Sequence, residues 1–182
     1  MTAVIAAVSS VLVAVLAGLF AYLNSRAASV RQDRLARVNA QLEELYGPLF
    51  ALSQASNAVW RTFRERHRFG MVFVPAAELT EEQRQVWVRW IRDVFLPMNR
   101  RAYEVIVTKA HLLEGEEMPR CLLDFCAHVA GYEPVVRGWE DGDIAEIGSI
   151  VDHPGSTYLD YVRETFATLK KRQLELLRAT RS

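Results

Sequence analysis

The chain has 182 residues, and its 22 basic and 22 acidic side chains give a formal net charge of zero at pH 7. Hydrophobic residues make up 51% of it, which excludes a disordered protein, and the balanced charge provides no global field to attract nucleic acid. Beyond an apolar start, roughly 155 residues remain, which is enough for one domain with its own core. We therefore expect one folded domain and no nucleic-acid partner.

The N-terminal stretch Ala3–Leu23 contains no charged residue and no proline. As a helix, its residues would rise about 31 Å, close to the roughly 30 Å hydrocarbon core of a bilayer. A cleaved secretory signal has a basic start and a shorter apolar run, and this sequence has neither. We predict that residues 1–25 form a retained transmembrane anchor.

Four arginines follow this stretch, with only Asp33 to oppose them. An excess of arginine beside a membrane span stays on the cytoplasmic side, where the side chains can also contact lipid headgroups. The prediction is a single-pass protein of the inner (plasma) membrane, with its N-terminus outside and residues 26–182 in the cytoplasm. The predicted headgroup residues are Arg26, Arg31, Arg34 and Arg37.

Small residues recur every fourth position within the predicted span, at Ala6, Ser10, Ala14 and Gly18. Such spacing lets the backbones of two membrane helices approach closely, which predicts an oligomer interface. The alternative is that an alanine-rich span matches this pattern by chance. We expect a homo-oligomer that has the lipid bilayer as its other partner.

The apolar periodicity continues past the span without proline or glycine as far as Tyr46, which predicts one long helix. Gly47 and Pro48 suit the end of one helix and the start of the next, so we predict a turn there. A second helix runs to His67. Thr80 and Gln83 then form a capping box that predicts the start of a third.

The remaining elements are also helical. Pro97 predicts the end or a kink of the third helix, and Pro119 opens a helix in which Pro134 predicts another kink. Residues 138–154 read as the longest loop, and a final helix follows Pro154. The predicted fold is all-α: a long N-terminal transmembrane helix continues into a cytoplasmic helical bundle of about five further helices.

Arg61 and His67 have the R-x5-H spacing found in HEPN-type ribonucleases, where the two side chains act on a scissile phosphate. This spacing is expected about once by chance in a chain so rich in arginine. The alternative interpretation is a solvated basic helix end, at which His67 interacts favourably with the helix dipole.

No metal site is predicted. Cys121, Cys126 and His128 miss the spacings of zinc ligands, and the two cysteines are better explained as reduced core thiols. His111 and His153 are single histidines at the ends of elements. The acidic residues of the long loop do not match a calcium-binding order, so a solvated loop is favoured. They are Glu140, Asp141, Asp143 and Glu146.

No phosphate-binding loop, nucleophile elbow or protease signature is present, so we expect a non-enzymatic protein without cofactors. Trp87 and Trp90 lie beside Val86 and Val88, and the four cannot all face one core. One side of this helix is therefore a candidate interface in the soluble domain.

Several segments resemble a family of small bacterial single-span membrane proteins that have a helical cytoplasmic domain. They are "LYGPLFAL" (45–52), "LPMNRRAYEVIVTKAHLL" (96–113), "FCAHVAGYEPVVRGWEDGD" (125–143) and the "HP" before the last helix. More distantly, the chain is similar to the membrane pore accessory protein of type VI CRISPR systems. That resemblance implies a multimeric pore and an Arg/His motif to which only Arg61 and His67 could correspond.

The expected function is therefore a membrane-anchored, non-enzymatic helical protein that self-assembles as a ring or pore in stress or antiphage defence. Two alternatives stay open. One is a membrane-tethered HEPN-like ribonuclease that uses Arg61 and His67, and the other is a monomeric anchor for an unknown protein partner.

Overall fold

The computed structural model describes residues 2–67 and 79–179, with the side chains of residues 2–11, 13 and 14 outside the description. These ranges contain helices and no strand, which confirms the all-α prediction. Within them, no helix is both long enough and apolar enough to cross a membrane. The α-helices of the described ranges are α1 (Thr2–Ala40), α2 (Gly47–His67), α3 (Glu81–Trp90), α4 (Leu96–Thr108), α5 (Arg120–Glu140) and α6 (Gly155–Arg178).

The chain divides into two compact units. The terminal unit comprises the residues up to Asn39 together with those from Arg172 onward, and the central unit is Ala40–Lys171. In the central unit α4 packs against both α2 and α5. Its core is built from side chains that are almost fully buried: Leu45, Tyr46, Leu49, Phe63, Leu96, Ile106, Leu122, Phe125, Val162 and Leu169.

The turn predicted at Gly47 and Pro48 is absent, because a π-helical segment, Gln41–Tyr46, carries the helix directly into α2. Gly47 has right-handed helical angles (φ −66°, ψ −53°), and its N–H donates to the carbonyl of Leu42, five residues back. Proline has no N–H, and its ring crowds the carbonyl four residues before it. The wider π-helical turn before Pro48 accommodates both effects without ending the helix.

A π-helical segment also precedes Pro97, where the sequence predicts an end or a kink of the helix. A second π-helical segment, Ile91–Phe95, joins α3 to α4, and the N–H of Leu96 donates to the carbonyl of Ile91. Pro97 is then the second residue of α4, and the wider π-helical turn before it accommodates both the missing N–H and the ring. Helical backbone therefore continues from Glu81 to Thr108.

Two polar side chains buried in the central unit make hydrogen bonds across it, whereas the buried hydroxyl of Tyr158 has no partner among the described residues. The side chain of Gln41 is 2% exposed and donates through Nε2 to the carbonyl of Leu112 at 2.9 Å. The hydroxyls of Tyr46 and Tyr161 lie 3.0 Å apart and share a hydrogen bond. These bonds fix the first π-helical segment against the short 3-10 turn Ala110–Leu112, which follows α4, and against α6. An unmatched buried amide would be costly.

The predicted capping box at the start of α3 is confirmed. Gln83 N–H donates to Thr80 Oγ1 at 3.2 Å, and Thr80 N–H donates to Gln83 Oε1 at 2.9 Å. We expect Thr80→Ala to lower the free energy of unfolding by about 1 kcal/mol, because the amide of Gln83 loses its acceptor. Urea unfolding followed by circular dichroism measures this loss, and Thr80→Ser, which retains the acceptor, should stay within a few tenths of a kcal/mol of the parent.

Residues 141–154 form the long loop that was predicted, although α5 extends as far as Glu140. Side chains from the helices donate to the carbonyls of this loop. Trp87 Nε1 binds the carbonyl of Ile147 at 2.8 Å, and Trp139 Nε1 binds that of Glu146 at 2.6 Å. The loop is thus fixed to α3 and α5 at neighbouring residues.

Candidate functional site

The part of α1 from Val15 to Val30 is exposed on every side. All described side chains from Val15 to Val30 are exposed, and Phe20 is 73% exposed. Soluble domains rarely leave so many large apolar side chains uncovered in one place. In the described part of α1, those that are more than half exposed are Leu12, Val15, Leu16, Leu19, Phe20, Tyr22 and Leu23.

Three of the four small residues predicted to form the membrane interface lie outside the described side chains, namely Ala6, Ser10 and Ala14. The fourth, Gly18, lies in α1, and a Cβ atom added there would meet no atom within 4 Å. The backbone at this position is therefore open to an approaching helix.

The predicted headgroup arginines lie on α1 within the terminal unit. Arg26, Arg34 and Arg37 are exposed, whereas Arg31 is half-buried and donates through Nη1 to the carbonyl of Ala179 at 2.5 Å. Within the same unit, Gln173 Nε2 donates to Asn39 Oδ1 at 2.7 Å. These two bonds hold α1 antiparallel to the end of α6.

A groove of about 450 Å³ lies between these two helix segments. Leu23, Ala27 and Val30 of α1 supply apolar lining, and Arg26, Arg31 and Arg34 supply the basic lining. The other side of the groove is formed by Leu176 and Ala179. The sequence predicted the arginines, but the groove depends on α6, about 145 residues away in the chain.

The predicted interface residues Trp87 and Trp90 are half-buried and lie in an aromatic cluster of the central unit. Trp87 contacts Trp60 edge to face, with ring centroids 5.9 Å apart, and Trp90 lies 5.2 Å from Phe63. Their aromatic faces thus take part in packing within the chain, in arrangements that favour aromatic pairs.

Arg61 and His67 are both on α2 but have different surroundings. Arg61 is exposed, while His67 is the last residue of the helix, and its ring lies 4.9 Å from Phe63 and 6.0 Å from Trp90. Six residues along a helix correspond to a rotation of about 120° between side chains. The two residues therefore project from different sides of α2.

A second group, which the sequence did not predict, surrounds His128 and His153. Their rings lie 5.0 Å apart, and Phe125 stacks on Tyr158 at 4.3 Å beside them. His128 Nδ1 lies 2.7 Å from the carbonyl of Val151, so Nδ1 carries the proton, whereas His153 Nδ1 accepts the N–H of Gly155 at 2.9 Å. Only the packing of α5, α6 and the long loop brings these distant residues together.

Burial lowers the pKa of His128, against a smaller opposing effect of Asp152. Partial desolvation beside the neighbouring rings also lowers the pKa of His153, and the nearby His128 adds to the effect. His153 is nevertheless an exposed residue, so solvent weakens this shift. Both histidines are consequently neutral at pH 7.

The two cysteines are free thiols and half-buried. Burial raises the pKa of Cys121, and it raises that of Cys126 to about 11. A thiol that stays protonated at neutral pH is a poor nucleophile, which fits the interpretation as structural thiols.

Among the described residues, no group of three or more histidine, cysteine or acidic side chains is arranged to hold a metal ion. His111 is exposed. The acidic side chains of the loop region are exposed as well: Glu140, Asp141, Asp143 and Glu146. Asp143 Oδ1 accepts the N–H of Ala145 at 2.9 Å, which gives that side chain a local role in the turn.

Comparison with known proteins adds no relative: no family model matches the chain, and no curated protein and no solved structure shows significant similarity to it.

Proposed function

We propose that this chain is a non-enzymatic helical protein that is anchored in a membrane by the start of α1 and assembles there with copies of itself, as a ring or pore. The observation that carries this proposal is the exposure of the large apolar side chains of α1 between Leu12 and Leu23. Lipid would cover such side chains, and it would remove the cost of exposing them to water.

The sequence extends this apolar surface toward the N-terminus, because residues 3–23 contain no charged side chain. At helical spacing, the small residues of this stretch fall on one side and the large ones on the other. Small residues promote close helix packing in lipid, where the hydrophobic effect does not drive association. The proposed contact between copies is formed by Ala6, Ser10, Ala14 and Gly18.

The proposal is tested by replacing these four small residues with leucine and measuring the mass of the detergent-extracted particle by light scattering. We expect the parent to form particles of several 20.7 kDa chains. We expect the variant to dissociate at protein concentrations at least about tenfold higher than the parent does, since bulky side chains block the close approach of the helices.

A matched control changes four large residues on the other side of the same helix: Ile5→Leu, Val8→Leu, Leu12→Ile and Leu16→Ile. This variant is comparably apolar but leaves the small residues intact, so the particle mass should not change. A parent that is monomeric in detergent would contradict self-assembly and would favour a plain anchor. A parent that alkaline carbonate releases from native membranes would contradict the anchor itself.

A further inference from the structure

The groove between α1 and the end of α6 is open to solvent and is lined by apolar and basic side chains. Its volume of about 450 Å³ lies within the range of small-molecule sites. Arg31 uses one of its five N–H donors on the carbonyl of Ala179 and so holds one side of the groove to the other. The groove is therefore defined by a specific contact between two helices.

The lining of the groove changes character along α1. Leu23 lies at the end nearer the predicted span, Ala27 and Val30 follow, and Arg34 lies at the far end. The rise from Leu23 to Arg34 is about 16 Å. Arg26 and Arg31 add guanidinium groups, and none of the described lining residues is acidic. The apolar strip formed by Leu23, Ala27 and Val30 thus has Arg26 beside it and Arg31 and Arg34 beyond its end.

Charge is also divided unequally between the two units. In sequence, the terminal unit contains seven arginines against Asp33 and Glu175, a net charge of +5, which leaves −5 on Ala40–Lys171. The chain is neutral overall. The positive charge therefore lies on the segment next to the proposed anchor, where an anionic membrane surface attracts it.

We propose that this groove binds the phosphate of an anionic glycerophospholipid, with Arg26 and Arg34 on the phosphate and the start of an acyl chain along Leu23, Ala27 and Val30. The inference rests on the proposed membrane anchoring, because the anchor places the apolar end of the groove at the bilayer. A free phosphate or an RNA backbone would be attracted to the same guanidinium groups. Neither would use the apolar strip, which is why a lipid fits the groove better.

The test uses the full chain in a non-ionic detergent, titrated with short-chain phosphatidylglycerol and followed by calorimetry. We expect saturable binding, at least tenfold tighter than that of short-chain phosphatidylcholine or of inorganic phosphate. The double variant Arg26→Gln/Arg34→Gln should weaken the binding of phosphatidylglycerol by roughly 20-fold, since each arginine near an anionic lipid surface contributes on the order of fivefold. Arg31 is left intact because it holds the groove together.

The matched control is Arg172→Gln/Arg178→Gln, which removes the same charge from two exposed arginines of the terminal unit that do not line the groove. It should change affinity less than about threefold, whereas equal losses in the two double variants would show a general charge effect and overturn the site. Tighter binding of inorganic phosphate or of a short single-stranded RNA would also overturn it. If the protein resists carbonate extraction but shows no preference for the anionic lipid, only the groove inference fails. Release by carbonate instead contradicts the anchor.

Discussion

Replacing Gly47 with alanine is expected to lower the free energy of unfolding of the central unit by about 3 kcal/mol. This is opposite in sign to the usual effect, because Gly→Ala inside a helix ordinarily stabilises by about 1 kcal/mol. A Cβ atom at position 47 would lie 2.3 Å from the carbonyl oxygen of Leu42, which is a backbone atom and has little room to move. Either the π-helical turn or its hydrogen bond from Gly47 must be distorted, and overpacking of this kind costs about 1–3 kcal/mol beyond the lost bond.

The measurement is the urea midpoint of the full chain in a mild detergent, followed by circular dichroism at 222 nm. Gly138→Ala provides the control, because Gly138 is also helical and its added Cβ would make an ordinary 3.5 Å contact with the carbonyl of Asp143. We expect the control to be neutral or slightly stabilising. Equal midpoints for Gly47→Ala and Gly138→Ala would show that the π-helical turn tolerates a side chain and would contradict this account.

The two π-helical segments mark the limit of what could be predicted from local sequence. Periodicity predicted helices on both sides of Pro48 and Pro97, and those helices are confirmed. A turn and a π-helical segment both relieve the clash of a proline ring, so the local rules favour neither. The difference is decided by tertiary contacts, such as Gln41 on the carbonyl of Leu112, between groups 71 residues apart.

The candidate sites were predictable to different degrees. The arginines of α1 follow directly from the uncharged stretch before them, but the groove also needs Leu176 and Ala179, which no local pattern connects with Arg31. Trp87 and Trp90 were identified by residue type alone. Their contacts with Trp60 and Phe63 depend on how α3 packs against α2, a feature that periodicity does not determine.

The second large effect is expected from pH, through His128 and His153. The folded state lowers the pKa of both histidines below the value of an unfolded chain, so the unfolded state binds more protons as the pH falls below about 6.5. Stability is therefore fully present above that pH and is lost as the pH decreases toward the lowered values. Each histidine can contribute at most about 1.4 kcal/mol per pH unit, and solvent reaching His153 reduces its share. We expect a loss of about 2 kcal/mol between pH 7 and pH 5.

The hydrogen-bond geometry also predicts that lowering the pH destabilises the folded protein. A proton added to His153 Nδ1 would face the N–H of Gly155, which that nitrogen now accepts, and two protonated rings 5.0 Å apart would repel each other. Asp152 favours protonation of His128, while the hydroxyls of Tyr132 and Tyr158 and the thiol of Cys126 stay neutral, because burial raises their pKa values. Histidine is the side-chain type whose ordinary pKa lies between pH 5 and pH 7, so protonation of these two rings is the expected source of pH dependence in this interval.

The double variant His128→Asn/His153→Asn separates titration from hydrogen bonding. An asparagine can donate to the carbonyl of Val151 at position 128 and can accept the N–H of Gly155 at position 153, yet it binds no proton in this range. Urea midpoints of the double variant measured from pH 7.5 to pH 5 should therefore change little, while those of the parent fall. His111→Asn removes an exposed histidine outside this group and should keep the slope of the parent. If the urea midpoint of the parent stays constant down to pH 5, protonation of the two histidines does not destabilise the folded protein. That outcome would contradict this prediction.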